Sequence, residues 1–282
     1  MLKKYNKIFL LIGSLLAILS LSCVLFIIHT DYHYNDCFVK NKTVTLFVHG
    51  YGSSLRAEQY MVHGAEKAGI TDNVLRAYVN RIGNVKLIGK IDKDDYNSIV
   101  EVNFADNKHT NPFDNAVWIK NVITKLQQKD QVEKINLVGH SMGNTDIACY
   151  LLEFGNDKEL PQIQKQVVLA GGFNGVLQQK NSNVPLNKFG KPTKETDIFK
   201  ILLPLRHLYP RNLKVLNVYG NLNNRDSDTT IGNNSSKSLR YLINNRVKSY
   251  QEKEITGNLA EHSDLHHNPQ VNKLLIDFLW KK

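Results

Sequence analysis

Along the chain, hydrophobic and polar positions fall into three regimes. Residues 8–28, IFLLIGSLLAILSLSCVLFII, carry no charge, and as a helix they are long enough to cross a hydrocarbon core of about 30 Å. A polar neck follows at 29–42. Beyond it, short β-branched and apolar runs alternate with stretches of helical spacing. TVTLFV at 43–48 predicts a buried strand running into the tight turn HGYG. Residues 74–79 and 85–91 flank Asn80-Arg81-Ile82-Gly83-Asn84 and predict a hairpin, and SIVEVNF at 98–104 predicts another strand. Apolar Phe113, Ala116, Val117, Ile119, Ile123 and Leu126 predict a helix over 113–128, with Asp114 in its first turn complementing the dipole. A short strand at 134–138 leads through GHSMG into a helix at 144–154 that closes at Gly155. Further strands are predicted at 166–170, 213–219 and 247–255, and helices at 235–243 and 269–280, the last with Pro269 in its first turn. This alternation predicts an α/β fold, a mostly parallel central sheet with helices on both faces. Residues 171–211 read as an insertion over the sheet, with the apolar patch at 198–205 buried against it rather than offered to lipid.

Composition narrows the class. A length of 282 residues suits one domain of ordinary size, and 42% hydrophobic against 22% charged residues excludes a disordered or collagen-like chain. Lysine and arginine number 36 against 26 acids, a formal charge of +10. The basic residues are scattered among acids, with no dense run and no aromatic interleaving, so nucleic acid is not an expected partner. Cys23, Cys37 and Cys149 are too few and too unevenly placed for a disulfide framework or a zinc site, and neither metal nor cofactor is expected. Cys149, among Ile147, Ala148, Leu151 and Leu152, reads as a small buried residue rather than a reactive thiol.

The apolar run at 8–28 exceeds the about 7 to 15 residues of a signal-peptide core, so 1–30 is expected to be an uncleaved membrane anchor, with secretion after cleavage as the alternative. Lys3, Lys4 and Lys7 precede it and Asp31 and Asp36 follow, which places the N-terminus in the cytoplasm and the rest of the chain outside. The expected arrangement is a single-pass cell-membrane protein of a bacterial surface, with a linker at 31–42 and a folded domain at 43–282.

The chemistry concentrates at three places. Gly139-His140-Ser141-Met142-Gly143 is a G-x-S-x-G motif between a predicted strand and a predicted helix. Such a turn holds the serine hydroxyl out at the sheet edge, and the Met142 N–H at the helix start is aimed to bind an oxyanion. His49-Gly50-Tyr51-Gly52 ends the first strand, where a second oxyanion donor, the Tyr51 N–H, is expected; His49 itself reads as a scaffold residue. In Glu261-His262-Ser263-Asp264-Leu265-His266-His267, His262 is the first candidate for general base, His266 the second, and His267 a solvated neighbour. The orienting acid should follow the strand at 213–219, where Asp226 and Asp228 both qualify.

Together, FVHGYGSS, VEVNFADN, LVGHSMGN, VLNVYGN, RDSD and AEHSDLHHNPQVNKLLIDFLW resemble membrane-anchored bacterial cell-surface hydrolases of the α/β-hydrolase superfamily, a group of unknown function. The resemblance runs from Thr43 to the C-terminus. It implies an α/β-hydrolase fold with an eight-stranded, mostly parallel sheet, and it implies Ser141 as nucleophile, Asp228 as acid and His262 as base. Members tend to carry a glycine after the Ser-Asp pair, where this chain has Thr229. The expected activity is hydrolysis of an ester or related acyl bond, and the competing expectation is a non-catalytic binding module on the same fold.

Overall fold

A computed structural model describes residues 37–243 and 245–282, with Ser20 and Ser22 besides. The membrane segment read at 8–28 otherwise lies outside the described residues. Among those described, no helix is long and apolar enough to cross a membrane.

Strand β1 (Val44–Val48) is buried along its whole length, which is why its sequence is an unbroken β-branched and apolar run. Helix α1 (Gln59–Lys67) follows, then β2 (Val74–Val79), β3 (Val85–Ile88) and β4 (Ile99–Phe104). Asn111 caps α2 (Pro112–Asp130) by accepting from the Phe113 N–H, with Pro112 in the first turn. Strand β5 (Lys134–His140) and helix α3 (Met142–Phe154) are separated by Ser141 alone. Strand β6 (Gln162–Leu169), helices α4 (Asp197–Leu202) and α5 (Leu205–Leu208), strand β7 (Lys214–Asn221), helices α6 (Asn233–Lys237) and α7 (Leu239–Ile243), strand β8 (Ser249–Thr256) and helix α8 (Pro269–Trp280) complete the order.

The eight strands form one sheet in the order β3-β2-β4-β1-β5-β6-β7-β8. Every pairing is parallel except that of β2 with β3, the predicted hairpin. The register sets Val48 beside both Val102 and Gly139, so β1, β4 and β5 end together. Trp118, Ile119, Val122, Ile123 and Leu126 of α2 share one core cluster with Ile147, Ala148, Tyr150 and Leu151 of α3 and with Phe199, Leu202 and Leu205. The patch at 198–205 therefore turns its main apolar side chains into the core, as expected from the sequence. Helices α1 and α8 pack against each other apart from that cluster.

A small second unit contains Cys37–Val39 and Lys281–Lys282 among its described residues, and in it Phe38 bridges antiparallel to Lys281. The other unit, Lys40–Trp280, holds the sheet and its helices.

Several elements differ from the expectations. The helix predicted at 235–243 is two helices, broken at Ser238, whose hydroxyl donates to the Ser235 carbonyl at 2.7 Å and competes with the regular ladder. The strand predicted at 85–91 stops at Ile88, because Gly89 takes a φ of 99°. Helix α1 is also absent from the predicted elements, although its buried Met61, Val62 and Ala65 share one face.

Candidate active site

The site is assembled where β1, β5, β6 and β7 end. Ser141 sits at φ 52° and ψ −123°, a conformation that non-glycine side chains rarely adopt and that the surrounding turn must enforce. Its N–H donates to the Leu169 carbonyl at 3.0 Å, and its own carbonyl accepts from Asn144 N–H at 3.0 Å. Two glycines allow the close approach. A Cβ on Gly143 would lie 2.5 Å from the Val48 carbonyl oxygen, and one on Gly50 would lie 2.9 Å from the Ser141 Cβ. The end of β1 is thus pressed against the serine and the helix start behind it.

His262 stands between β8 and α8 and reaches the serine. Its Nε2 is 2.9 Å from Ser141 Oγ, and its Nδ1 is 2.8 Å from Asp228 Oδ2. The backbone repeats the pairing, since the His262 N–H donates to the Asp228 carbonyl at 2.8 Å. Asp228 is 1% exposed. Its other carboxylate oxygen accepts from the N–H groups of Thr230 at 2.9 Å and Ile231 at 2.6 Å, which keeps the buried charge fully hydrogen-bonded.

Of the candidate side chains, the structure brings Ser141, His262 and Asp228 together. Asp226 is exposed at φ 53°, and its backbone is engaged elsewhere, its N–H donating to Asn221 Oδ1 and its carbonyl accepting from Asn233 N–H. It therefore points away from the relay. His266 is buried but is set one step behind, its ring packed edge-on to His140 at 4.9 Å and hydrogen-bonded to the Ala57 backbone. Burial first, and then His267 and His262, push its imidazole down to about 4. His267 is exposed beside Tyr60. His49 is fully buried and accepts from the Phe104 N–H through Nε2 at 3.1 Å, a scaffold contact between the ends of β1 and β4.

Met142 opens α3, so its N–H has no intrahelical acceptor. The Tyr51 N–H likewise makes no backbone hydrogen bond among the described residues, in a turn fixed by Gly52 N–H to Asn107 O at 2.7 Å. Tyr51 itself is 56% exposed. Among the described residues, no group of three or more His, Cys, Asp or Glu side chains is placed to hold a metal ion.

Two features escaped the sequence reading. Thr229 sits at φ 85°, a position suited to the glycine that family members tend to carry, and its hydroxyl donates to Glu261 Oε1 at 2.9 Å. Glu261 also accepts from the N–H groups of Ser263 and Asp264; burial raises its carboxyl, but these donors outweigh that and hold it below the usual range. The second feature is His140, inside the serine motif. Its ring lies 4.8 Å from that of His262, its Nε2 is 3.0 Å from the His262 carbonyl, and burial followed by the two neighbouring imidazoles holds it well below the usual range. The only signal for it in the sequence was a histidine next to the candidate nucleophile.

A serine on a strained turn between a parallel strand and a helix, with the histidine and aspartate brought in from later loops, defines an α/β-hydrolase fold. The chain belongs to the family described as alpha/beta hydrolase of unknown function (DUF915), whose model matches residues 33–282. No curated protein matches the sequence. Among solved structures, a gene product of Listeria innocua is similar at TM-score 0.78 and 24% identity, over 84% of this chain and 93% of that one. A protein of Lactobacillus plantarum, described as a candidate cell surface hydrolase, is similar at TM-score 0.68 and 22% identity, over 84% and 89%. At these identities the likeness is one of fold.

Proposed function

We propose that the protein is a serine hydrolase acting on an ester or related acyl bond. The observation that carries this reading is the continuous relay from Ser141 Oγ through the His262 ring to a buried, fully hydrogen-bonded Asp228. His262 Nε2 takes the hydroxyl proton as Ser141 Oγ attacks the acyl carbon, and Asp228 stabilises the imidazolium that forms. The N–H groups of Met142 and Tyr51 hold the oxyanion. The imidazolium then returns its proton to the leaving group. His262 next deprotonates a water, which attacks the acyl-enzyme and frees the acid and the serine. A binding module would not need an alcohol so activated.

The test is Ser141→Ala. Purified protein is expected to cleave a chain-length series of p-nitrophenyl esters and to be labelled by a fluorophosphonate. The variant should lose about 10⁴-fold or more of the turnover, and all of the labelling, with an unchanged far-UV spectrum. Equal hydrolysis with and without the hydroxyl would refute the reading.

We also propose that residues 1–30 tether this domain to the outer face of a cell membrane. The uncharged run at 8–28, with Lys3, Lys4 and Lys7 before it and Asp31 and Asp36 after it, supports that orientation. In a bacterial host, the full chain is expected in the membrane fraction and open to protease added to intact protoplasts. Soluble or protected protein would contradict the tether.

A further inference from the structure

His140 adjoins the reactive serine in sequence, yet its side chain engages the base. Its Nε2 lies 3.0 Å from the carbonyl oxygen of His262. A carbonyl only accepts, so this nitrogen carries the proton. Burial favours the neutral ring, which fixes one tautomer with Nδ1 unprotonated on the side of Gly50. The ring is seated by His266, packed edge-on at 78°.

Apart from its contact with Ser141, His262 is therefore held at three points. Asp228 takes the ring and the backbone N–H of His262, and His140 takes its carbonyl. The two ties to Asp228 refer the residue to the loop after β7. The third refers it to β5 instead, and it comes from the residue bonded directly to Ser141. The gap between His262 Nε2 and Ser141 Oγ is thus referenced to the serine's own strand, through the shortest covalent path available.

We infer that His140 is a positioning residue, whose ring holds the His262 carbonyl and so sets the distance between base and nucleophile. This rests on the serine-hydrolase reading. Displacement of a catalytic group by about 1 Å costs on the order of 100-fold, and the loss should fall on kcat rather than KM, because His140 is buried and its contact is with the base's backbone.

The experiment compares full-length wild type with His140→Leu, His140→Gln and His140→Asn. Fluorophosphonate labelling rate, kcat and KM on a p-nitrophenyl ester, and thermal unfolding are measured for each. Leucine removes the donor, whereas glutamine places an amide N–H near the position of Nε2 and asparagine falls short of it. His140→Leu should label and turn over about 100-fold more slowly at unchanged KM, His140→Gln should recover to within about tenfold of wild type, and His140→Asn should not recover. Wild-type rates in the leucine variant, or equal rates in the glutamine and asparagine variants, would overturn the inference. If the leucine variant does not fold, the glutamine and asparagine pair decides alone. Absence of Ser141-dependent labelling in the wild type would instead refute the hydrolase reading, so the two failures are distinguishable.

Discussion

At the scale of single residues, the decisive choice is between two aspartates two positions apart. Both follow the same strand, and no local pattern separates them. The structure does so through the backbone: Asp226 is turned out at positive φ, whereas Asp228 is enclosed with three donors around its carboxylate. Asp228→Asn would present an N–H to His262 Nδ1 and turn the ring to the tautomer that cannot accept from serine. The expected loss is about 10⁴-fold in kcat, while Asp226→Asn should stay within about twofold of wild type on the same ester substrate. The candidate serine and histidine are legible, because a G-x-S-x-G turn and a histidine-rich segment before the last helix each leave a local mark. The enclosure of an acid leaves none, since it depends on the Thr230 and Ile231 amides of a folded loop. Thr229 shows the same limit. Its positive φ belongs to that loop and is paid for by a bond to Glu261, more than thirty residues away along the chain.

At the scale of elements, the strands are legible where burial makes the sequence monotonous, as in β1, and less so where the start of a strand admits polar residues. β6 begins at Gln162, earlier than its apolar portion suggests, because Gln162 and Lys165 pair with β5 across a register shift without entering the core. Helix α1 has an apolar face at Met61, Val62 and Ala65, but His63 and Gly64 lower its local propensity, and its contact with α8 supplies the stabilisation that propensity lacks. The interface of α2 and α3 carries a further element-scale feature. Asp146 is fully buried with Asn115 beside its carboxylate, and burial, only partly offset by Asn115, pushes its carboxyl up to about 8. In an unfolded chain the same carboxyl ionises near its ordinary value of 3.8. Between these values the folded state retains a proton that the unfolded state has released, so stability falls as pH rises through this window, by up to about 1.4 kcal/mol per unit. Asp146→Asn mimics the protonated form. Its melting temperature relative to wild type is expected to climb steadily from pH 4 to pH 8, and a difference independent of pH would show that Asp146 is already ionised in the folded protein.

At the scale of the whole molecule, reactive and inert groups are sorted by where they lie on the sheet. Cys149 is buried within α3, and burial pushes its thiol up to about 12, so it stays protonated and unreactive. A recess of about 880 Å³, lined by Lys42, Thr43, Val44, Asp130 and Lys134, is set at the opposite ends of the strands and includes none of the relay residues. Strands running in parallel make this separation inevitable, because all the loops that follow them gather at one edge.

The folded unit begins at Lys40, just before β1, and Ser141 lies past the far end of that strand and its neighbour. Five residues of β1 already span roughly 15 Å. The point of attachment at Lys40 and the serine hydroxyl are therefore set at opposite edges of the same sheet, so a handle joined at the first would not have to cross the second.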